Sequence, residues 1–165
     1  MNFELTPEIK TLLKQWINGI YSIDKQGLIN VEGDVHIKNY EGTELPVRFG
    51  IVRGRFSCRD SKITSLAGFP SEVTQMFVCS FNRALKSLDG CPKKVGNSFR
   101  CWNNLKRFSK SEIKRRCRVK GDIAVKRRNL DRNYIRTYVD RPQEFKVFSQ
   151  FDLWIPEGYG LHKPA

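Results

Sequence analysis

One motif returns five times along this chain and limits what it can fold into. Val31-x-Gly33-x-Val35-x-Ile37 reappears as Val52-x-Gly54-x-Phe56-x-Cys58, Val73-x-Gln75-x-Phe77-x-Cys79, Val95-x-Asn97-x-Phe99-x-Cys101 and Val119-x-Gly121-x-Ile123-x-Val125. The third position advances by 21, 21, 22 and 24 residues. Alternation with period two inside each copy reads as a short strand with one buried face. A second element lies between the middle copies, Ile63-Thr-Ser-Leu66-Ala-Gly68-Phe69-Pro70 against Leu85-Lys-Ser-Leu88-Asp-Gly90-Cys91-Pro92. Its Gly and Pro punctuate turns, and its leucine-like positions can share the interior of the strands. Such a unit cannot bury its apolar side alone, so copies must stack, and about three are needed. The expected fold is a repeat of the α+β class, a β-solenoid.

These segments carry a resemblance. Phe56 to Pro70 and Phe77 to Gly96 look like the short leucine-rich repeats of tailed-phage proteins. The N-terminal block, a helix followed by Ile29-Asn-Val31-Glu-Gly33-Asp-Val35, is similar to the start of those proteins. Residues 5–105 are covered. Ala84 is an insertion, the copy at Cys101-Trp-Asn-Asn104-Leu105 loses a residue, and the sequence after Phe108 is not regular repeat. The resemblance implies a leucine-rich-repeat-like solenoid and a phage origin, with the host cytoplasm or nucleoid as the place of action. A fold of this kind hosts many functions and fixes none.

The ends read as caps. Thr6 is an N-cap with Pro7 at the first helical position. Ile9, Leu12, Leu13, Trp16, Ile17 and Ile20 follow helical spacing, with Asn18-Gly19 as the stop. The expected organisation is a capping helix and hairpin over 1–30, the solenoid over 31–108, and a basic segment with a C-terminal cap over 109–165. The whole is expected to form a single compact domain and a monomer. Pro142 to Ala165, with Phe145, Phe148, Phe151, Trp154 and Tyr159, supplies that cap. No apolar run approaches the roughly 18 residues a spanning helix needs, and the N-terminus has no secretory pattern.

Charge is regional. Residues 100–141 hold 15 of the 30 Lys and Arg and four of the 17 acids, a net of +11, which leaves the rest of the chain at +2. Ser109 and Glu112 have capping-box spacing, so a short helix through about Arg118 is expected to bury Ile113 and Cys117 and expose Lys110, Lys114, Arg115 and Arg118. Residues 129–139 fit a helix (Leu130, Tyr134, Tyr138 on one face) or a strand (Tyr134, Arg136, Tyr138 on one face). Either way arginines stand beside tyrosines, a pairing suited to phosphate and base contacts. Outward positions on the repeat strands (Arg53, Arg55, Ser57; Thr74, Met76, Val78; Gly96, Ser98, Arg100) are not strongly charged in the centre. The expected nucleic-acid-binding residues are therefore Arg100, Lys106, Arg107, Lys110, Lys114, Arg115, Arg116, Arg118, Lys120, Lys126, Arg127, Arg128, Arg132 and Arg136.

Catalysis has little to stand on. The sequence carries no nucleophile elbow, metal tetrad or phosphate loop, and a metal-dependent nuclease needs clustered carboxylates where only Asp122 and Asp131 stand. Cys58, Cys79 and Cys101 recur at one repeat position and read as a packed ladder of small apolar thiols. A zinc site from Cys91, Cys101 and Cys117 lacks close ligand spacing. No cofactor is expected. The expected function is that of a non-enzymatic regulator binding double-stranded DNA with little sequence preference, with RNA as another possible phosphate partner. Size, charge and phage resemblance are similar to those of phage transcription terminators of the Alc type, which implies host RNA polymerase as a partner. The alternative is a protein-interaction module that inhibits a host defence or toxin protein.

Overall fold

The structure, a computed structural model, describes residues 4–38 and 40–126. The expected cap at 142–165, the segment 129–139 and the cations Arg127, Arg128, Arg132 and Arg136 lie outside the described residues.

The chain begins with helix α1 (Pro7–Trp16), where the Thr6 hydroxyl accepts a hydrogen bond from the Ile9 N–H and Leu13 and Trp16 are buried. The helix ends earlier than its apolar spacing suggests. Strand β1 (Ile17–Ile23) follows at once and pairs antiparallel with β2 (Leu28–Lys38), so Ile17 and Ile20 belong to a strand. Pairing explains the switch. Three isoleucines and a tyrosine in seven residues favour a pleated strand, and β2 offers seven consecutive partners.

From β2 onward the chain winds into parallel coils. β3 (Arg48–Arg53) and β4 (Phe56–Arg59) form the second coil, β5 (Glu72–Val73) and β6 (Phe77–Val78) the third, β7 (Lys94–Val95) and β8 (Phe99–Arg100) the fourth. The fifth has β9 (Arg118–Val119) and β10 (Ile123–Ala124), preceded by helix α2 (Lys110–Arg116). The fold is thus a parallel β-solenoid with a leucine-rich-repeat-like coil. The first copy of the motif lies within the continuous strand β2, while each of the other four is two short strands around a bend. One ladder runs β2-β3-β5-β7-β9 and the other β2-β4-β6-β8-β10, both springing from the long β2. The coils also continue through Ala124, beyond the boundary expected at 108.

Register puts like on like. Val31, Val52, Val73, Val95 and Val119 are successive partners, as are Val35, Phe56, Phe77, Phe99 and Ile123. Phe56 and Phe77 stack at 6.0 Å and Phe77 meets Phe99 at 4.9 Å, all three fully buried. Each such ring contributes on the order of 2–3 kcal/mol of burial. Ile63, Leu66, Leu85 and Leu88 close the opposite side of the core at 0% exposure. Gly68 and Gly90 turn the chain there with φ of +81° and +87°. A Cβ on Gly90 would stand 2.5 Å from the Leu66 carbonyl oxygen, so the position admits only glycine.

Backbone groups leaving the strands are satisfied by a polar ladder at one repeat position. The Ser61 N–H donates to Asn82 Oδ1 (3.0 Å), the Asn82 N–H donates to Asn104 Oδ1 (2.9 Å), and Asn82 Nδ2 donates to the Cys58 carbonyl (2.8 Å). Asn82 is wholly buried, and an amide there is tolerable because both its ends are paired. Just before it the backbone enters the left-handed region at Asp60, Phe81 and Asn103, one residue per coil. Asp and Asn adopt that conformation readily, whereas Phe81 holds it at a cost of about 1–2 kcal/mol. The outward side is less open than simple alternation implies, for Ser57 and Val78 are buried.

Candidate nucleic-acid interface

The segment 102–117, which joins the fourth coil to the fifth, is built by the sequence signal read above. Ser109 caps α2 by accepting from the Glu112 N–H (3.1 Å), and Cys117 ends it. Ile113 and Cys117, four residues apart, turn inward and are buried beside Phe108. Burying that edge forces the other positions outward: Lys110, Lys114, Arg115 and Arg116 are all exposed. The helix packs against β9 and β10, so its cations share the fifth coil with Arg118, Lys120 and Lys126, also exposed.

The expected site residues divide into groups. Arg107, Lys110, Lys114, Arg115, Arg118, Lys120 and Lys126 are exposed and form no ion pair among the described residues. Two others are partly neutralised. Arg116 lies 2.5 Å from Asp89, and Lys106 lies 3.3 Å from Glu112 and 5.4 Å from the centre of the Phe108 ring. Arg100 is half-buried on β8 with its guanidinium 6.0 Å from the centre of the Trp102 ring, a placement less suited to reaching phosphate. The Ser87 hydroxyl, and then the Arg116 guanidinium, hold the Asp89 carboxyl below its ordinary range, so this acid stays ionised beside the patch.

Two further cations stand at the border of this patch, outside the 100–141 segment that concentrates charge along the chain. Lys94 is the register partner of Arg118, and Lys93 precedes it, exposed. Stacking brings residues 24 positions apart to neighbouring strands. The signal was present in the repeat alignment, since Lys94 and Arg118 occupy the same place before Val95 and Val119. Lys94 is itself paired with Glu72 at 2.8 Å, so Lys93 adds more uncompensated charge.

Thiol chemistry at neutral pH is closed to most cysteines. Burial pushes Cys58 and Cys117 up to about 12 and Cys91 to about 11, and raises Cys79 well above its ordinary value. Protonated thiols are poor nucleophiles and poor metal ligands. Cys58, Cys79 and Cys101 belong to the core, as a packed ladder requires. Among the described residues no three His, Cys, Asp or Glu side chains are grouped so as to hold a metal ion, and no helix is long and apolar enough to cross a membrane.

Fold and site together define a leucine-rich-repeat-like β-solenoid with a basic fifth coil. Comparison with protein-family models, with curated proteins and with solved structures gave no match.

Proposed function

We propose that this chain is a non-enzymatic binder of double-stranded DNA that grips the phosphate backbone with little sequence preference. One observation carries the reading: seven exposed cations without an ion pair among the described residues, gathered between 107 and 126 on the fifth coil and its helix. Ordinary surfaces intersperse both signs. Here the core-facing side of α2 is fixed by Ile113 and Cys117, and four of the other positions, Lys110, Lys114, Arg115 and Arg116, are Lys or Arg. Four of these cations sit on α2 and β9 and the other three (Arg107, Lys120 and Lys126) on the segments beside them, and Phe108, the aromatic within 107–126, is buried. Charges without an exposed ring among them favour phosphate contacts over base readout. Resemblance to phage repeat proteins extends the proposal to a regulator of host transcription acting at RNA polymerase.

The test is fluorescence anisotropy of the full chain with a labelled 30-base-pair duplex. If about six phosphates are neutralised, affinity falls about a thousandfold between 50 and 200 mM salt. Unrelated duplex sequences should compete equally. Changing Lys110, Lys114, Arg115 and Lys120 to Glu together should weaken binding by about 100-fold or more while the circular-dichroism melt stays in place. Absence of binding at 50 mM salt, or binding indifferent to salt, overturns the proposal; capture of one nuclease-resistant protein instead would favour the protein-interaction alternative.

A further inference from the structure

β1 is an edge of an unusual kind. It is hydrogen-bonded to β2 along one side, has no second neighbour among the described residues, and is exposed from 18 to 22. Ile20 is 73% and Tyr21 40% exposed. Soluble proteins blunt such edges with Lys, Pro or a bulge. β1 (Ile-Asn-Gly-Ile-Tyr-Ser-Ile) has none of these: no charge, no proline, and unbroken register with β2 over seven pairs. In a chain of net charge +13, seven uncharged edge residues form a neutral strip.

The strip is also complementary to itself. We propose that β1 is a self-association edge, at which a second copy of this chain pairs antiparallel about a two-fold axis through Ile20. In that register Ile17 faces Ile23 of the second copy, Asn18 faces Ser22, and Ile20 faces Ile20. Tyr21 of each copy lies across Gly19 of the other, a bulky ring over a residue with no side chain, the arrangement by which aromatics shield strand glycines. Directly opposite residues share a face, so apolar meets apolar and the amide meets the hydroxyl. No like charges oppose each other. Lys14 precedes the strand and Asp24 follows it, so the two-fold turns the basic start of one strand toward the acidic end of the other. The Leu28 N–H, bonded to the Asp24 carboxylate, keeps that group below its ordinary range and thus charged. One seven-residue strand pair buries less than the roughly 1,200 Å² typical of stable complexes, so the dimer is weak, with a dissociation constant on the order of 10–100 μM.

Sedimentation velocity of the full chain, free of nucleic acid, from 5 to 200 μM should show concentration-dependent dimer. Ile20→Lys should remove it with an unchanged circular-dichroism melt, since the side chain is exposed. Register is read by cross-linking with copper phenanthroline as oxidant. Ile20→Cys should give covalent dimer. Ser22→Cys alone should stay at the parent's level, and Ser22→Cys mixed with Asn18→Cys should cross-link. The protonated native thiols keep the parent background low. A monomer at 200 μM, dimer surviving Ile20→Lys, or cross-linking of Ser22→Cys alone as fast as Ile20→Cys would each overturn the assignment.

Discussion

In the second and third coils the chain leaves the strands through Ile63 and Leu66, or Leu85 and Leu88, and turns on Gly68 or Gly90 before the next strand. In the fourth coil the same passage, 102–117, fills the interior with Phe108, Ile113 and Cys117, two of them delivered by one side of a helix. The interior demand is alike in both regions: apolar volume beneath stacked valine and phenylalanine ladders. The exterior is not. The irregular turns carry scattered charges, while α2 places Lys or Arg at four of its six positions that do not face the core. Replacing a turn by a helix thus adds surface of one sign without disturbing the stack.

That contrast can be broken most forcefully in the core. Phe77→Ala removes the middle ring of the ladder and should cost about 3–5 kcal/mol, read by urea unfolding as loss of the whole solenoid. Ile113→Ala should cost about 2–4 kcal/mol, but amide hydrogen exchange should accelerate in α2 and the fifth coil more than in the second and third, because coils couple mainly to neighbours. Equal acceleration everywhere would mean that the helix is not a separable addition.

A smaller loss is expected at Asn82→Ala, about 2–3 kcal/mol, since the Ser61 N–H and the Cys58 carbonyl would be left buried and unpaired. Asn104→Ala, half-buried and serving one backbone N–H, should cost less than half as much. Smallest is Ser109→Ala at about 1 kcal/mol. Its signature is faster exchange confined to the first turn of α2, with anisotropy-measured DNA affinity reduced no more than a few fold. A large affinity loss there would show that helix order, and not charge alone, makes the interface.

Much of this was legible from residues. The 21- to 24-residue spacing set the coil, because partners in parallel register must recur at the coil length, and Val119-x-Gly121-x-Ile123 announced the fifth turn. Ser109, Glu112, Ile113 and Cys117 specified α2 through local capping and four-residue spacing, signals that do not depend on the rest of the molecule. The end of α1 is not legible locally, because Ile17 and Ile20 fit helical spacing as well as a strand. Only β2, supplied from residues 28–38, decides between them.

By itself, then, the order of residues determined the local and periodic properties of this protein: the repeat, the N-caps of its two described helices, the buried thiol ladder and the excess of positive charge. Tertiary structure decided which charges meet and which edge stays open. Lys94 joins Arg118 across the stack, Asp89 pairs with Arg116 from 27 residues away, and β1 has β2 as its one strand neighbour among the described residues. Those outcomes depend on how coils stack in space, and stacking makes neighbours of residues that linear distance keeps apart.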